Sequence, residues 1–123
     1  MNENEIGTIL IESALEIHRA FGPALLESAY EALLVHELKN RGLSCESQVS
    51  VSLEWKGVRI ADAFRADLII DKKVLVELKS VEKVSKVHHK QVYTYVKVSQ
   101  LKLGYLINFG EHLLKNGIHR IIN

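Results

Sequence analysis

Two short apolar runs separated by three polar residues, all within residues 64–80 (FRADLIIDKKVLVELKS), constrain the fold more than any other feature of the sequence. The runs FRADLII and VLVELK have the length and the apolar, β-branched content of buried strands, and DKK between them is polar enough for a turn. The segment therefore predicts a β-hairpin. Its strands carry acidic and basic side chains among apolar ones, notably Asp67, Glu77 and Lys79.

The register of this hairpin decides whether those charges meet. Side chains alternate along a strand, so Glu77 and Lys79 share one face about 7 Å apart. A three-residue loop at 71–73 would place Asp67 opposite Glu77, whereas a two-residue loop would turn Asp67 away. With the longer loop, two carboxylates and an ammonium group converge. Because close carboxylates repel each other, the cluster favours a hard divalent cation such as Mg²⁺, and metal-assisted phosphodiester hydrolysis is the chemistry we expect.

A structural interpretation of the same residues stays open. Glu77 and Lys79 can form a solvent-facing cross-strand salt bridge, with Asp67 as a further partner. A single VELK match is weak support for catalysis on its own.

Composition excludes several classes of protein. A chain of 123 residues with 47% hydrophobic and 25% charged residues is typical of one globular domain, so we expect residues 1–123 to form a single domain. The net charge of +1 is not that of a polycation, although eight lysines and three acids lie between residues 71 and 102. The single cysteine, Cys45, excludes an internal disulfide and a thiolate zinc cluster. Because the sequence lacks a membrane-length apolar run and a signal-peptide pattern, we expect a cytoplasmic protein without a membrane partner.

Two amphipathic helices are predicted before the hairpin. Apolar residues at helical spacing place the first helix at residues 5–20. The second is predicted for residues 23–41, with Pro23 as its first helical residue and Gly42 as its C-terminal cap. Glu27 lies on or at the edge of the buried side of this helix. Two interpretations remain for it: a salt bridge at the helix border, or a third acid at the metal patch.

The remaining segments predict strands and one helix. An alternating pattern predicts a half-buried strand at 43–55, a turn at Lys56 and Gly57, and a return strand from 58–60 that leads into the hairpin. After Ser80 we expect a helix, then a fully covered strand at 101–109 and a short last strand at 117–122. The residues predicted to face inward on the helix are Val84, Val87, Gln91, Tyr95 and Val98.

That helix region also carries a basic surface. Adjacent histidines point about 100° apart on a helix, which disfavours chelation of one ion by His88 and His89. We expect phosphate contacts without base recognition instead. The residues expected to bind nucleic acid are Lys83, Lys86, His89 and Lys90.

Taken together, these motifs resemble the PD-(D/E)XK nuclease superfamily: a helix with Glu, a strand with Asp, a strand with Glu-x-Lys, then a helix. More closely, the chain is similar to the small prokaryotic proteins of the GxxExxY family. The segments that carry this resemblance are FGPALLESAYEALLVHEL, RADLIIDKKVLVELKS, HKQVYTYVK and LKLGYLINFG with the closing KNGIHRIIN, nearly the whole chain. Glu27 and Tyr30 match the family's glutamate and tyrosine. Its glycine falls on Ala24, which is acceptable if Ala24 has helical φ, as its place after Pro23 predicts.

The resemblance implies a fold and an activity. The fold is α/β with a restriction-endonuclease-like core, a mixed central sheet of about five strands flanked by helices in the order α-α-β-β-β-α-β-β. The activity is hydrolysis of phosphodiester bonds in nucleic acid, expected to be DNA, with Mg²⁺ or Mn²⁺ as cofactor and a 5′-phosphate and a 3′-hydroxyl as products. The implied active-site residues are Glu27, Asp67, Glu77, Lys79 and Gln91.

It also implies a role for each of these residues. Asp67 and Glu77, with the backbone carbonyl of Leu78, would bind the metal. Lys79 would position or activate water. Glu27 would hold a second metal or a metal-bound water, and Gln91 would orient Lys79 or a phosphate.

Other functions remain compatible with the same residues. The fold can be kept by a nucleic-acid-binding protein that does not cut, or by a structural or oligomeric protein. A homodimer that resolves branched DNA is an enzyme variant suited to a small chain, and it rests on size alone.

Overall fold

Three helices and a five-stranded sheet make up most of the computed structural model, which describes all residues from 1 to 123. The sequence order is the predicted one, with a short 3₁₀ helix inserted before the last strand. In chain order the elements are α1 (Glu3–Phe21), α2 (Glu27–Asn40), β1 (Cys45–Trp55), β2 (Val58–Ile70), β3 (Val74–Lys79), α3 (Lys86–Val98), β4 (Leu103–Asn108), the 3₁₀ helix (Leu114–Gly117) and β5 (Ile118–Ile122).

The sheet is mixed and forms the middle of three layers. Its strand order is β1-β2-β3-β4-β5; β3 and β4 are parallel, and the other neighbours are antiparallel. α1 and α2 cover one face through the larger core, which includes Leu34 and Leu78. α3 covers the other face through a smaller core that includes Val96 and Leu75. The fold is therefore α/β with a restriction-endonuclease-like arrangement, as predicted.

β3 and β4 are the most covered strands. Five of the six residues of β3 and all six of β4 are buried, which confirms the prediction of a central strand within 101–109. A close approach between α3 and β4 depends on Gly104, because a Cβ atom there would overlap Cγ2 of Val96. The short last strand predicted for 117–122 is also present, as β5.

α2 begins four residues later than predicted, at Glu27. The segment before it is held out of the helix by the Tyr30 hydroxyl, which donates to the carbonyl of Gly22 and accepts from the amide of Leu25 at 3.1 Å. Ala24 therefore lies in a loop and not in the first helical turn, but its φ is not positive, so alanine is accommodated there. Gly42 follows the end of α2, as predicted, with φ of 87°.

β1 and β2 extend beyond the rest of the sheet. β3 pairs with β2 only from Leu68 to Ile70, whereas β1 pairs with β2 from Cys45 to Trp55. The prediction of a half-buried strand through residue 55 is wrong at its outer end, where Trp55 is 69% exposed, because no third strand or helix covers that part. The predicted turn is present, and Lys56 and Gly57 both adopt positive φ, as a two-residue hairpin loop requires.

The inward face of α3 differs from the prediction. Val92 and Val96 are its buried residues, while Val87 is 67% exposed and Gln91 is exposed. The helix is rotated so that Val96 packs over Gly104, a contact that the spacing of apolar residues within the helix does not reveal. None of the three helices combines the length and the hydropathy that a membrane span needs.

Candidate active site

The turn between β2 and β3 has the length that brings the predicted charges together. β2 ends at Ile70 and β3 begins at Val74, which leaves a three-residue loop, and Ile70 pairs with Val74. Asp71 and Lys72 in this loop have φ of 50° and 56°. The loop is fixed from outside, because Oδ1 of Asp71 accepts hydrogen bonds from the amide and hydroxyl of Ser44 at 2.8 and 2.9 Å.

Asp67 and Glu77 lie where β2 and β3 separate. The last backbone pair of the ladder is Leu68 with Val76, although both strands continue beyond it. Two hydrogen bonds from backbone to side chain take the place of the ladder. The amide of Asp67 donates to Oε1 of Glu77 at 3.1 Å, and the amide of Leu78 donates to Oδ2 of Asp67 at 2.8 Å. The two carboxylates are thus locked across the gap between the strands.

Leu78 places its backbone in the same gap. The N–H and C=O of one residue point to the same side of a strand. Because the N–H of Leu78 reaches Asp67, its carbonyl is also directed towards the β2 side, while the next carbonyl, of Lys79, turns the other way and accepts from the amide of Phe109 at 2.8 Å. The predicted set of Asp67, Glu77 and the Leu78 carbonyl therefore converges on one location.

Burial makes the ionised form of Glu77 costly. The residue is only 6% exposed. Desolvation, reinforced by the negative charge of Asp67, raises the pKa of Glu77 to about 8, and the charge of Lys79 opposes this shift. A buried carboxylate of this kind is stabilised in its ionised form by a positive charge beside it.

Glu27 faces the site from the first turn of α2. It lines a cleft of about 370 Å³ that also contains Glu31, Gln48 and Asp67. Burial raises the pKa of Glu27, with the charge of Lys79 acting against the shift and that of Asp67 adding to it. No ion pair joins Glu27 to a basic residue, since the ion pairs of the chain all involve Arg41. Of the two interpretations left open for Glu27, the salt bridge at the helix border is therefore absent.

Gln91 lies at the edge of the site and not inside it. It is exposed on α3, so the predicted inward position is wrong. It lies one helical turn before Tyr95 on α3. Burial and the negative charge of Glu77 raise the pKa of Tyr95, and a hydrogen bond from the Gln91 side chain opposes the shift. The Tyr95 ring stacks on Phe64 of β2 with centroids 3.9 Å apart.

The four residues expected to bind nucleic acid are not equivalent. Lys83, Lys86 and Lys90 are exposed, after β3 and along α3. His89 is half-buried and packs edge-on against His119 of β5, with ring centroids 4.4 Å apart. Packing with β5 thus occupies His89, while the three lysines remain free to contact a phosphate.

Three polar residues at the site were missed by sequence analysis. Nε2 of Gln48 donates to Glu31 at 2.7 Å and to Asp67 at 3.3 Å. Asn108, fully buried at the end of β4, accepts at Oδ1 from the amides of Val81 and Gly110, both at 3.0 Å, and its Nδ2 has no partner. The third is Tyr95, which the pattern placed in the core. Only Asn108 had a usable signal, a lone amide in the apolar run LKLGYLINF.

The donor set at the gap has the chemistry of a hard-cation site, with two carboxylates and one backbone carbonyl. The Mg²⁺ or Mn²⁺ expectation therefore fits the residues present. No group of three or more His, Cys, Asp or Glu side chains is arranged to hold a metal ion, so Glu27 does not join Asp67 and Glu77 as a third direct ligand in this geometry.

Comparisons with known proteins place these features in a family. The chain resembles the crystal structure of SSO0001 with a TM-score of 0.57 and 22% identity, over 97% of this chain and 62% of that one. It thus spans less than two thirds of that structure, and the likeness supports the fold. No protein of curated function matches the chain. A family model described as the PD-(D/E)XK nuclease superfamily matches residues 4–121, and the chain therefore belongs to that superfamily.

Proposed function

We propose that the protein is a metal-dependent nuclease that hydrolyses phosphodiester bonds of nucleic acid, with DNA as the expected substrate. One observation carries the proposal. Asp67 and Glu77 are interlocked where β2 and β3 separate, and Lys79 follows on the same strand within electrostatic reach of Glu77. A purely structural salt bridge would not need a buried carboxylate, Glu77, facing the half-buried one of Asp67.

The metal set consists of Asp67, Glu77 and the Leu78 carbonyl. A bound Mg²⁺ or Mn²⁺ would supply Lewis-acid stabilisation of the charge that develops on the phosphate. The residues themselves contribute rigidity, because the hydrogen bonds across the gap fix both carboxylates before a ligand arrives.

Lys79 and Glu27 have the remaining roles in the proposed reaction. The charge of Lys79 acts on both Glu77 and Glu27, so the ammonium group is within electrostatic reach of both carboxylates. From there it positions or activates the attacking water or stabilises the phosphate. Glu27 in the cleft orients that water or a second cation. Gln91, exposed on α3 at the edge of the site, orients Lys79 or a phosphate.

Substrate binding away from the reacting phosphate falls to the exposed lysines Lys83, Lys86 and Lys90. Such contacts are electrostatic and do not read the base sequence. The products are a 5′-phosphate and a 3′-hydroxyl. The enzyme acts either as a monomer or, on branched DNA, as a homodimer.

The test is cleavage of labelled single-stranded, duplex and four-way-junction DNA and of RNA, with Mg²⁺, Mn²⁺ or EDTA. Wild type is compared with Asp67→Asn and Lys79→Ala, and with Lys97→Ala as a matched control that removes an exposed lysine from α3. We expect metal-dependent cutting by wild type and control and none by the site variants. Equal cutting by all four proteins would refute the assignment.

One observation favours a second candidate, a nucleic-acid-binding protein that keeps the fold without cutting. No group of three or more His, Cys, Asp or Glu side chains is arranged to hold a metal ion. In that case Lys79→Ala would bind nucleic acid as wild type does, with an affinity that falls as salt rises, and no preparation would cut.

A further inference from the structure

A second cleft lies beside the candidate active site and has a different composition. Its volume is about 420 Å³, and it is formed by the end of α1, the start of the α1–α2 loop and the segment around the 3₁₀ helix. Its lining contains two histidines, one arginine, one lysine and no carboxylate. The lining residues with ionisable side chains are His18, Arg19, His112 and Lys115.

The cations of this cleft are available to a ligand. The ion pairs of the chain are all made by Arg41, so neither Arg19 nor Lys115 is neutralised by a carboxylate. Arg19, His112 and Lys115 are exposed at the rim. Unpaired cations around a concavity without acids form an anion site in electrostatic terms.

The cleft also has an apolar wall and a fixed base. Leu15, Pro23 and Leu114 line it together with the basic residues. His18 is buried beneath them, and its Nε2 donates to the carbonyl of Glu111 at 2.9 Å, which ties α1 to the segment after β4. A site with an apolar wall and a cationic rim suits a ligand that has both a phosphate and a ring.

The loop that separates the two clefts is held against the active-site strand. Gly22 and Pro23 line the second cleft, and Leu26 and Glu27 line the first. The five residues from 22 to 26 can span at most about 17 Å. The hydroxyl of Ser80, directly after Lys79, donates to the carbonyl of Leu25 at 2.7 Å, so this loop is anchored at the site.

We propose that this cleft binds a nucleotide of the substrate strand adjacent to the scissile phosphate. Arg19, Lys115 and His112 hold its phosphate, and the apolar wall receives the sugar or base. The inference rests on the proposed nuclease function and extends it, because it gives the strand a path from the gap between β2 and β3, across the loop, to the end of α1.

The test is a binding titration that does not depend on cutting. Fluorescein-labelled single-stranded and duplex DNA are titrated in EDTA at several salt concentrations with wild type and with Arg19→Ala/Lys115→Ala. The matched control is Lys97→Ala/Lys102→Ala, which removes the same charge from residues outside both clefts. A charge-preserving pair, Arg19→Lys/Lys115→Arg, tests whether a change of side chain at these two positions disturbs the cleft when both charges are kept.

We expect the alanine pair in the cleft to lose at least about tenfold in affinity, with a log–log salt slope smaller by roughly 0.7 to 0.9 because one phosphate is no longer neutralised. For the control pair, the salt slope should change by less than half of that amount, because its lysines contribute only general charge. The charge-preserving pair should bind as tightly as wild type.

The outcomes separate this inference from the nuclease proposal. If the cleft variant binds as tightly as wild type, the nucleotide site is refuted while cutting by wild type still supports a nuclease. If wild type binds but never cuts, and the cleft variant loses binding, the nucleotide site in the cleft is supported and the nuclease function is refuted. A wild type that binds no oligonucleotide overturns the site, and the cleavage assay then decides the function separately.

Discussion

Glu77→Gln should stabilise the metal-free protein, although it removes a candidate metal ligand. The carboxyl group is 6% exposed, and its pKa rises from an ordinary 4.5 to about 8 through burial and the charge of Asp67. Between those two pH values the folded protein keeps a proton that the unfolded chain has released. The stability of the wild type therefore falls as pH rises from 4.5 to about 8 and stays low above it.

The size of this effect follows from the shift in pKa. At 1.36 kcal/mol per pH unit, the penalty is about 3 kcal/mol at pH 7 and about 5 kcal/mol above pH 8. Glutamine is nearly isosteric and cannot ionise, and its side-chain oxygen can still accept the hydrogen bond from the amide of Asp67. The variant should therefore keep the low-pH stability and avoid the loss at high pH.

The assay is urea unfolding followed by circular dichroism in EDTA from pH 5 to pH 9, for wild type, Glu77→Gln and the exposed control Glu82→Gln. The difference between wild type and Glu77→Gln should be small at pH 5, reach about 3 kcal/mol at pH 7 and about 5 kcal/mol at pH 9, with unchanged m-values. Adding Mg²⁺ should stabilise wild type at high pH and leave Glu77→Gln unaffected. A pH-independent difference between the two proteins would show that Glu77 is not held as a buried, uncompensated acid.

Two further variants test how the site is supported. Tyr30→Phe removes the hydroxyl that both donates to and accepts from the loop before α2, and we expect a loss of about 1–3 kcal/mol in the free energy of unfolding in urea, with faster amide hydrogen exchange in that loop. Gly104→Ala should cost about 1–3 kcal/mol because its Cβ would meet Val96, and adding Val96→Ala should make the double variant less unstable than the sum of the two single changes, whereas simple additivity would argue against the contact.

Local pattern was sufficient for the order of the elements, and it reduced the pairing of Asp67 with Glu77 to a question of loop length, which the structure answered with three residues. The runs around DKK specified a hairpin, and the three-residue loop placed Asp67 and Glu77 across from each other, because side-chain alternation and loop length determine register. Lys79 was assigned to the candidate site from its position on the same strand and face as Glu77, whereas Glu27 was assigned by the resemblance to the superfamily, because its helix position left a salt bridge open. Side-chain alternation and position on a strand depend on neighbours within a few residues, which a sequence displays directly.

Tertiary structure decided the features that depend on contacts between distant segments. The start of α2 was misplaced because hydrogen bonds to Tyr30 hold the preceding loop, and the face of α3 was misassigned because Val96 docks over Gly104. The amide network of Asn108 and the basic cleft at the end of α1 likewise join segments far apart in the chain. Hydrophobic period and turn chemistry cannot specify such contacts, because they arise only when packing brings separate elements together.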